Sequence, residues 1–224
     1  MEDLDISIYS TEKELLEVTV EEIRELIYEQ LSSKGKFHLA LTGGTLGNLL
    51  AKALTIEFNE GDWRGLHIWW SDERFVDFNS NERNDIDFVN SLINKNVVVH
   101  RAPSNGSIES LADSFSKELE NVQLDLVIIG VGPDGHVASL FPNAIYQNEK
   151  RKAFAITNSP KPPAERITFS LSEINSADEI WVVASGESKQ EAIEGFMDGD
   201  MNLPVSHLNA TRLLVDSAAF GVEE

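Results

Sequence analysis

The chain has 224 residues, of which 42% are hydrophobic and 25% charged, and no apolar run approaches the roughly 20 residues of a membrane span. The absence of cysteine excludes disulfides, thiol nucleophiles and thiolate zinc sites, and the acidic segment Met1–Asp5 is unlike a signal peptide, so we expect a cytoplasmic protein without membrane contact. A net charge of −20, from 18 Lys and Arg against 38 Asp and Glu, would repel a phosphate polymer, so we expect no nucleic-acid partner.

The first segments alternate strand and helix patterns. Residues 4–10 predict an edge strand, and Thr11, with Glu14 three residues on, is typical of the start of a helix. Apolar residues at helical spacing continue this helix to about Ser32. A short apolar run at 37–41 then predicts a buried strand.

A glycine-rich segment, 42–48, follows that strand directly and precedes a second helical pattern. Gly43, Gly44 and Thr45 lie where a strand–turn–helix unit directs free backbone N–H groups and a helix dipole at an anion. The segment is neither a P-loop nor a dinucleotide fingerprint, and a tight turn without a ligand is the alternative.

A charged cluster follows the next buried-strand pattern, at 66–70. Its Arg74 has the geometry to hold a carboxylate or phosphate with two hydrogen bonds, or to face a developing oxyanion. The alternative is a solvated turn on which Asp72, Glu73 and Arg74 form local ion pairs.

The longest candidate segment runs from Leu124 to Pro142. The β-branched run at 127–129 predicts a strand buried on both faces, and the glycine-rich loop after it carries Asp134 and His136. Open α/β sheets bind ligands at such strand ends, and histidine is suited to proton transfer near neutral pH. An ordinary Asp-Gly turn is the alternative.

Two further segments hold cations. The proline-rich stretch 159–166 carries Lys161 and Arg166, and its alternative interpretation is a stiff connector. Lys189 follows the buried-strand pattern at 179–184, at a strand–loop–helix junction like that of Thr45.

Strands that alternate with helices predict the α/β class, with a mainly parallel, Rossmann-like sheet covered by helices on both faces, in one domain over residues 1–224. The carboxyl ends of parallel strands share one edge, so we expect the polar clusters to meet there. Lone histidines are seldom catalytic, so we interpret four of them as structural or exposed: His38, His67, His100 and His207. The remaining patterns predict, in order, a helix through 88–93, a strand at 97–99, a helix at 107–119, a strand at 167–171, a helical turn at 171–177, a helix through 192–196 and a strand at 211–215.

Taken together, these segments resemble the 6-phosphogluconolactonase family, within the larger group that includes glucosamine-6-phosphate deaminase. The matching segments are Thr-Gly-Gly-Thr at 42–45, Trp-Trp-Ser-Asp-Glu-Arg-Phe-Val at 69–76, Gly-Val-Gly-Pro-Asp-Gly-His-Val-Ala-Ser-Leu-Phe-Pro at 130–142, Ser-Pro-Lys-Pro-Pro-Ala-Glu-Arg-Ile-Thr at 159–168 and the junction from Gly186 to Lys189. The resemblance implies a deaminase-type α/β fold and hydrolysis of 6-phospho-D-glucono-1,5-lactone in the oxidative pentose phosphate pathway, with no metal or cofactor.

The resemblance also implies roles for individual residues. His136 matches the family's general base on water, and Arg74 matches an arginine near the lactone or its oxyanion. The sugar-phosphate loop is matched by Gly43, Gly44 and Thr45, and basic positions that face the substrate are matched by Arg166 and Lys189.

Other candidates have a less defined role. Asp134 either orients His136 or shapes the turn, and the further candidates for substrate contact are Asp72, Gly135 and Lys161. The division of phosphate contacts between Lys161, Arg166 and Lys189 stays open, as does the oligomeric state, a monomer or small homo-oligomer. Because the chain has no Gly-x-Ser-x-Gly elbow, direct attack by water is more economical than an acyl-enzyme.

The chain departs from the family pattern at two places. Leu46-Gly47 stands where many relatives have Thr-Pro or Ser-Pro, and Asp77 stands where relatives usually have proline. Both changes bear on loop geometry, and neither removes a group assigned to the chemistry.

Two other functions compete with lactone hydrolysis. An amino-sugar-phosphate isomerase/deaminase shares the Asp-Gly-His turn, but its relatives carry an acid/base glutamate where this chain has Phe141, which cannot move a proton. A non-enzymatic sugar-phosphate sensor would need a DNA-binding segment, which the acidic N-terminal sequence and the net charge argue against.

Overall fold

A computed structural model describes residues 4–144 and 148–222, so of the acidic N-terminal segment the first three residues lie outside the described range. Its larger sheet has seven strands, and every neighbouring pair of them is parallel. Their spatial order is β1 (Asp5–Tyr9), β10 (Arg212–Asp216), β9 (Glu179–Ala184), β6 (Leu126–Gly130), β2 (Phe37–Leu41), β3 (Leu66–Trp70) and β5 (Val98–Val99).

Helices cover both faces of this sheet. One face packs against α1 (Glu12–Lys34), α2 (Gly44–Asn59) and α3 (Ile86–Ser91), and the other against α4 (Ile108–Leu119), α5 (Leu171–Ile174), α6 (Gln190–Met197) and α7 (Ser217–Phe220). The apolar residues of the central strands therefore divide between two cores, and all five residues of β2 are buried. The predicted α/β class with a mainly parallel sheet is confirmed.

A second, antiparallel sheet of three strands was not predicted. It consists of β4 (Asp72–Arg74), β8 (Arg166–Phe169) and β7 (Ala153–Ile156), with β8 in the middle. No strand was predicted at residues 72–74, where the sequence showed only a charged cluster after β3. A three-residue strand is too short to show alternation, and its partner β8 lies far away in the sequence.

Helix ends follow local chemistry. Thr11 caps α1 by accepting a hydrogen bond from the Glu14 N–H at 3.2 Å, as predicted, and Gly35, with φ of 70°, ends the helix slightly beyond Ser32. The helix predicted through 88–93 ends earlier, because Leu92 is extended and the Ile93 N–H donates to the Asn59 side chain.

The carboxyl ends of β2, β3, β6 and β9 lie along one edge of the large sheet, as expected. The segments that follow these strands, together with the β4–β8 pair of the small sheet, enclose a cavity of about 520 Å³. Within residues 4–144 and 148–222, none of the helices has the length and apolar character needed to cross a bilayer.

Candidate active site

The cavity collects most of the residues that the sequence singled out. Those that line it are Gly43, Gly44, Thr45, Asp72, Arg74, His136, Lys161, Arg166 and Lys189. Asp134 stands behind His136, and Gly135 turns away from the cavity to pack against Leu203. The structure thus brings together segments that are widely separated in the sequence.

His136 and Asp134 form a pair in the loop after β6. The loop is closed by a hydrogen bond from the Gly132 N–H to the His136 carbonyl at 2.8 Å. His136 Nδ1 lies 2.5 Å from Asp134 Oδ1, and the imidazole stacks on the Phe141 ring with centroids 4.7 Å apart. With Nδ1 engaged by the carboxylate, Nε2 is the ring nitrogen left for a ligand in the cavity.

Gly132 makes this pair possible. A Cβ atom there would lie 1.8 Å from His136 Nδ1 and 2.6 Å from Asp134 Oδ1. The imidazole and the carboxylate therefore sit against the backbone of residue 132, in space that any side chain would fill.

The protonation states of the pair suit a base. Burial lowers the pKa of His136, as does the charge of Lys161, and together they outweigh the opposite effect of Asp134. Burial works to raise the pKa of Asp134, but the hydrogen bond and charge of His136 and the charge of Lys161 bring it below its usual range. At neutral pH the site holds a neutral imidazole beside an ionised carboxylate.

A buried network supports the wall opposite the His136 loop. The Ser139 hydroxyl donates to Asp72 Oδ2 at 2.7 Å, and Arg166 Nη1 lies 3.5 Å from the same oxygen. Both Asp72 and Arg166 are buried. The Asp72 carboxylate is therefore engaged by Ser139 and Arg166 within the protein.

Arg166 uses most of its donors within the protein. Its Nε donates to the Pro163 carbonyl at 3.2 Å, and its Nη2 donates to the carbonyls of Lys161 and Pro162 at 3.1 and 3.2 Å. The guanidinium thus fixes the proline-rich loop, although one side of it reaches the cavity lining.

Arg74 stands beside Arg166 across the β4–β8 pair. Its Nη1 donates to the Glu82 carbonyl at 2.6 Å. In the part of the chain that the structure describes, no carboxylate oxygen lies within 4.0 Å of the Arg74 guanidinium. The predicted alternative, a turn of local ion pairs, is wrong: Asp72 faces Arg166, and Glu73 is buried beside Arg83. Arg74 is consequently a cation that faces the cavity and has no carboxylate counter-ion among the residues of 4–144 and 148–222.

One end of the cavity, lined by the N-terminus of α2 and by Lys189, is suited to an anion. The helix α2 begins at Gly44, and its N-cap residue Gly43 has no side chain to cap the free N–H groups. Burial, and then the charge of Lys161, lower the pKa of Lys189. Among the described residues no carboxylate lies within 4.0 Å of Lys189, so this end presents backbone N–H groups and an unpaired ammonium.

Two residues that hold Asp72 in the cavity wall were not predicted from the sequence, Ser139 and Asn84. Asn84 Nδ2 donates to the Asp72 carbonyl at 2.9 Å, and its amide packs directly against Gly43. Ser139 lies within the matching segment 130–142 and was available as a signal. Asn84 lies in a polar stretch that resembles an ordinary loop.

The two departures from the family pattern fit the local structure. Gly47 in the first turns of α2 packs against the Thr42 backbone, where a Cβ would lie 2.5 Å from the Thr42 oxygen. The Asp77 carboxylate accepts a hydrogen bond from the Asn79 N–H at 2.9 Å. Asp77 thus stabilises the turn after Arg74.

The other histidines do not line the cavity. His38, His67 and His100 pack together beside Trp69 rather than being isolated, with His100 stacked on the indole at a centroid distance of 3.7 Å. In the residues that the structure describes, no group of three or more His, Cys, Asp or Glu side chains is arranged to hold a metal ion.

The fold defines a class of α/β proteins that includes solved structures of two enzymes. A Trypanosoma brucei structure described as a 6-phosphogluconolactonase superposes with a TM-score of 0.83 at 23% identity, over 97% of this chain and 98% of that one. A structure described as a monomeric glucosamine-6-phosphate deaminase gives 0.81 at 16% identity, over 98% and 100% of the chains. These similarities show the fold.

Sequence comparison identifies the family. The model of glucosamine-6-phosphate isomerases/6-phosphogluconolactonase matches residues 10–215, so the chain belongs to this family. A Streptomyces coelicolor protein named 6-phosphogluconolactonase is 32% identical over 98% of this chain and 95% of its own length. An Arabidopsis thaliana protein named 6-phosphogluconolactonase 3, chloroplastic, is 32% identical over 89% of this chain and 68% of its own length.

Proposed function

We propose that this protein hydrolyses 6-phospho-D-glucono-1,5-lactone to 6-phospho-D-gluconate, a step of the oxidative pentose phosphate pathway. The observation that carries the proposal is His136, held at Nδ1 by Asp134, in a cavity that also holds Arg74 and Lys189, two cations without a carboxylate partner among the described residues. Relatives named 6-phosphogluconolactonase that match most of the chain support the same substrate.

The reaction begins with water between His136 and the lactone carbonyl. His136 Nε2 accepts a proton from the water as its oxygen attacks C1, and Asp134 stabilises the imidazolium. The negative charge on the carbonyl oxygen develops near Arg74, whose guanidinium has no protein counter-ion among the described residues. A lactone is an activated ester, so these groups suffice.

The tetrahedral intermediate then opens the ring. The bond between C1 and the ring oxygen breaks, and the imidazolium returns its proton to that oxygen, which becomes the hydroxyl on C5. The new carboxylic acid releases its proton to solvent, and His136 is again neutral. Every step uses residues that line the cavity or contact its lining.

The phosphate on C6 is assigned to the end of the cavity that is lined by the N-terminus of α2 and by Lys189. The α2 N-terminus offers backbone N–H groups at Gly44 and Thr45, and Lys189 offers an ammonium. Arg166 contributes less to this contact, because three carbonyls of the 161–163 loop already occupy its Nε and Nη2.

Phe141 argues against deamination. It stacks on the His136 ring, at the position where deaminase relatives carry their acid/base glutamate. An aromatic ring cannot transfer the proton that opening of an amino sugar requires. No feature of the cavity favours the sensor hypothesis in particular, whereas its base and cations are the groups that lactone hydrolysis uses.

The test is hydrolysis of freshly generated lactone, coupled to 6-phosphogluconate dehydrogenase, with the spontaneous rate subtracted and glucosamine-6-phosphate assayed in parallel. Lactone turnover well above background without ammonia release supports the proposal. Ammonia release would instead indicate a deaminase. Failure to turn over either compound, with binding still detectable as a higher Tm, would favour a sensor.

We further propose that residues 1–224 act as one cytoplasmic domain, as a monomer or small homo-oligomer. The absence of cysteine and the soluble-protein composition support the location. Light scattering after size-exclusion chromatography measures the assembly, and a large or polydisperse mass would contradict it.

A further inference from the structure

One ring nitrogen of His136 has two neighbours with opposite requirements. Lys161 Nζ lies 3.2 Å from His136 Nδ1 and 3.4 Å from Asp134 Oδ1, while Asp134 Oδ1 lies 2.5 Å from the same Nδ1. The carboxylate can only accept a hydrogen bond and therefore requires a proton on Nδ1. The ammonium can only donate: it can donate to Asp134 Oδ1 whichever ring nitrogen carries the proton, but to Nδ1 only when that nitrogen is bare.

The choice between these partners decides whether His136 can act as a base. When Nδ1 donates to Asp134, the lone pair of Nε2 is free to take a proton from water. When Lys161 donates to Nδ1, the single proton of the neutral ring is on Nε2, which then cannot accept one. In either case the ammonium opposes protonation of the ring.

Lys161 has a fixed backbone and a side chain that a ligand can reach. Its carbonyl accepts hydrogen bonds from Arg166 Nη2 at 3.1 Å and Ser159 Oγ at 2.9 Å, and its N–H donates to Ser159 Oγ at 3.2 Å. The side chain is 44% exposed and lines the cavity. Its ammonium can therefore exchange the His136 contact for a ligand without movement of the loop.

A second ammonium faces the same cavity. Lys189 has no carboxylate within 4.0 Å among the residues that the structure describes, and the charge of Lys161 acts on it. Two like charges that share a cavity in a protein of net charge −20 favour an anion between them. A phosphate dianion has the charge to engage both.

We propose that Lys161 is a positioning residue that couples phosphate binding to the base: a phosphate held by Lys161 and Lys189 withdraws the ammonium from His136 Nδ1 and leaves Asp134 as its partner. Lys161 keeps its proton, while Nδ1 gains a proton from solvent and Nε2 loses one to solvent. This inference rests on the proposed lactone hydrolysis. Under this inference, the phosphate of the substrate activates the base in addition to anchoring the substrate.

The charged groups that face His136 make the effect measurable. They are Asp134 on its own loop, Lys161 on the proline-rich loop and Asp72 on β4. Phosphate on Lys161 removes the one cation in this set. The protonation midpoint of His136 is therefore expected to rise when phosphate binds.

The experiment uses D-glucono-1,5-lactone, which lacks the phosphate, with inorganic phosphate added separately. In the unmodified enzyme, phosphate is expected to raise the hydrolysis rate in a saturable manner, by about 10-fold, after subtraction of the phosphate-catalysed rate without enzyme. In Lys161→Met the activation is expected to disappear, and the rate without phosphate to exceed that of the unmodified enzyme. The exposed Lys95→Met serves as the matched control and should behave like the unmodified enzyme.

A second measurement does not depend on turnover. In ¹⁵N-histidine NMR spectra, with the His136 signals identified by their loss in His136→Gln, phosphate should shift Nδ1 toward its protonated form and raise the midpoint of titration. Neither change is expected in Lys161→Met or, if that variant folds poorly, in Lys161→Gln.

The outcomes separate this inference from the proposed function. Turnover of the phosphorylated lactone with equal phosphate effects in the Lys161 variants and the unmodified enzyme would refute the coupling alone. The absence of any phosphate effect on the His136 signals would do the same. Lack of turnover of the phosphorylated lactone by the unmodified enzyme would refute the proposed function.

Discussion

Gly132 has no functional group, but the position of the catalytic base depends on it. The His136 imidazole and the Asp134 carboxylate lie against its Cα, within 1.8 and 2.6 Å of where a Cβ would be. The His136 side chain lines the cavity and the Asp134 side chain is 41% exposed, so both can move aside. A methyl group at residue 132 is therefore expected to displace the base and leave the fold intact.

Gly132→Ala is therefore expected to lower kcat for lactone hydrolysis by about 10-fold or more, because small errors in the position of a base are costly. Its Tm should stay within a few degrees of the unmodified protein. The matched control is Gly106→Ala, in an exposed loop where the nearest atom is the end of the Leu111 side chain. Equal kcat values for the two variants would contradict this account.

His136→Gln tests the base itself. The amide fills similar space but cannot take a proton, so kcat is expected to fall by roughly 100-fold or more. Steady-state kinetics with the coupled assay measure the loss, and circular dichroism checks the fold. A variant that retains near-normal turnover would remove His136 from the chemistry.

Lys189→Ala tests the assigned phosphate end. Lys189 is assigned to the phosphate and not to the reacting carbonyl, so its removal should weaken ground state and transition state alike. We expect KM to rise about 10-fold or more with kcat changed less than about 3-fold. A loss confined to kcat would place Lys189 near the reacting carbonyl instead.

At the scale of elements, the adjoining strands β2, β3 and the residue after β5 hold three imidazoles in contact beside Trp69. Burial and then neighbouring positive charge lower the pKa of both His38 and His100 to about 4. In the unfolded chain a histidine titrates near about 6.5. Between these values the unfolded chain binds more protons, so the free energy of unfolding falls as pH decreases from 6.5 to 4.

Glu73 acts in the opposite direction, since burial and then Asp85 raise its pKa to about 7 and its folded form binds more protons between 4.5 and 7. The comparison is therefore made against His100→Phe, which preserves stacking on Trp69 and retains Glu73. From pH 6.5 to 5, the unmodified protein is expected to lose about 1 kcal/mol more than the variant, allowing for solvent screening. Urea unfolding at each pH measures the difference, and parallel pH profiles would contradict it.

Prediction from sequence succeeded where an element was long or patterned. The large sheet, its helices and the meeting of the clusters at one edge follow from apolar periodicity and strand-to-helix alternation. The small sheet did not, because β4 has three residues and its partner lies far along the chain. The contacts of Arg166 were missed for a different reason. The carbonyls of residues 161–163 lie only three to five positions before it in the sequence, but their direction depends on the conformation of the loop, which the residue pattern does not give.

At the scale of the whole molecule, the net charge of −20 is a source of repulsion within the fold. Salt screens such charges, with a Debye length of about 10 Å at 0.1 M. Raising KCl from 10 to 500 mM, values on the order of weak and full screening, is expected to stabilise the protein by about 1 kcal/mol, or about 2–4 °C in Tm. A Tm that falls as salt increases would show that local ion pairs outweigh the repulsion.

The pairing of β1 with β10 sets an order of events during synthesis. Asp5 pairs with Arg212, so β1 stays unpaired until residue 212 has left the ribosome. At about 5–20 residues per second this delay is on the order of 10 s. During that time the nascent chain exposes the unpaired backbone edge of β1 and the face of α1 that later packs on β10. A chain released before residue 212 would therefore keep these surfaces open to chaperones and proteases.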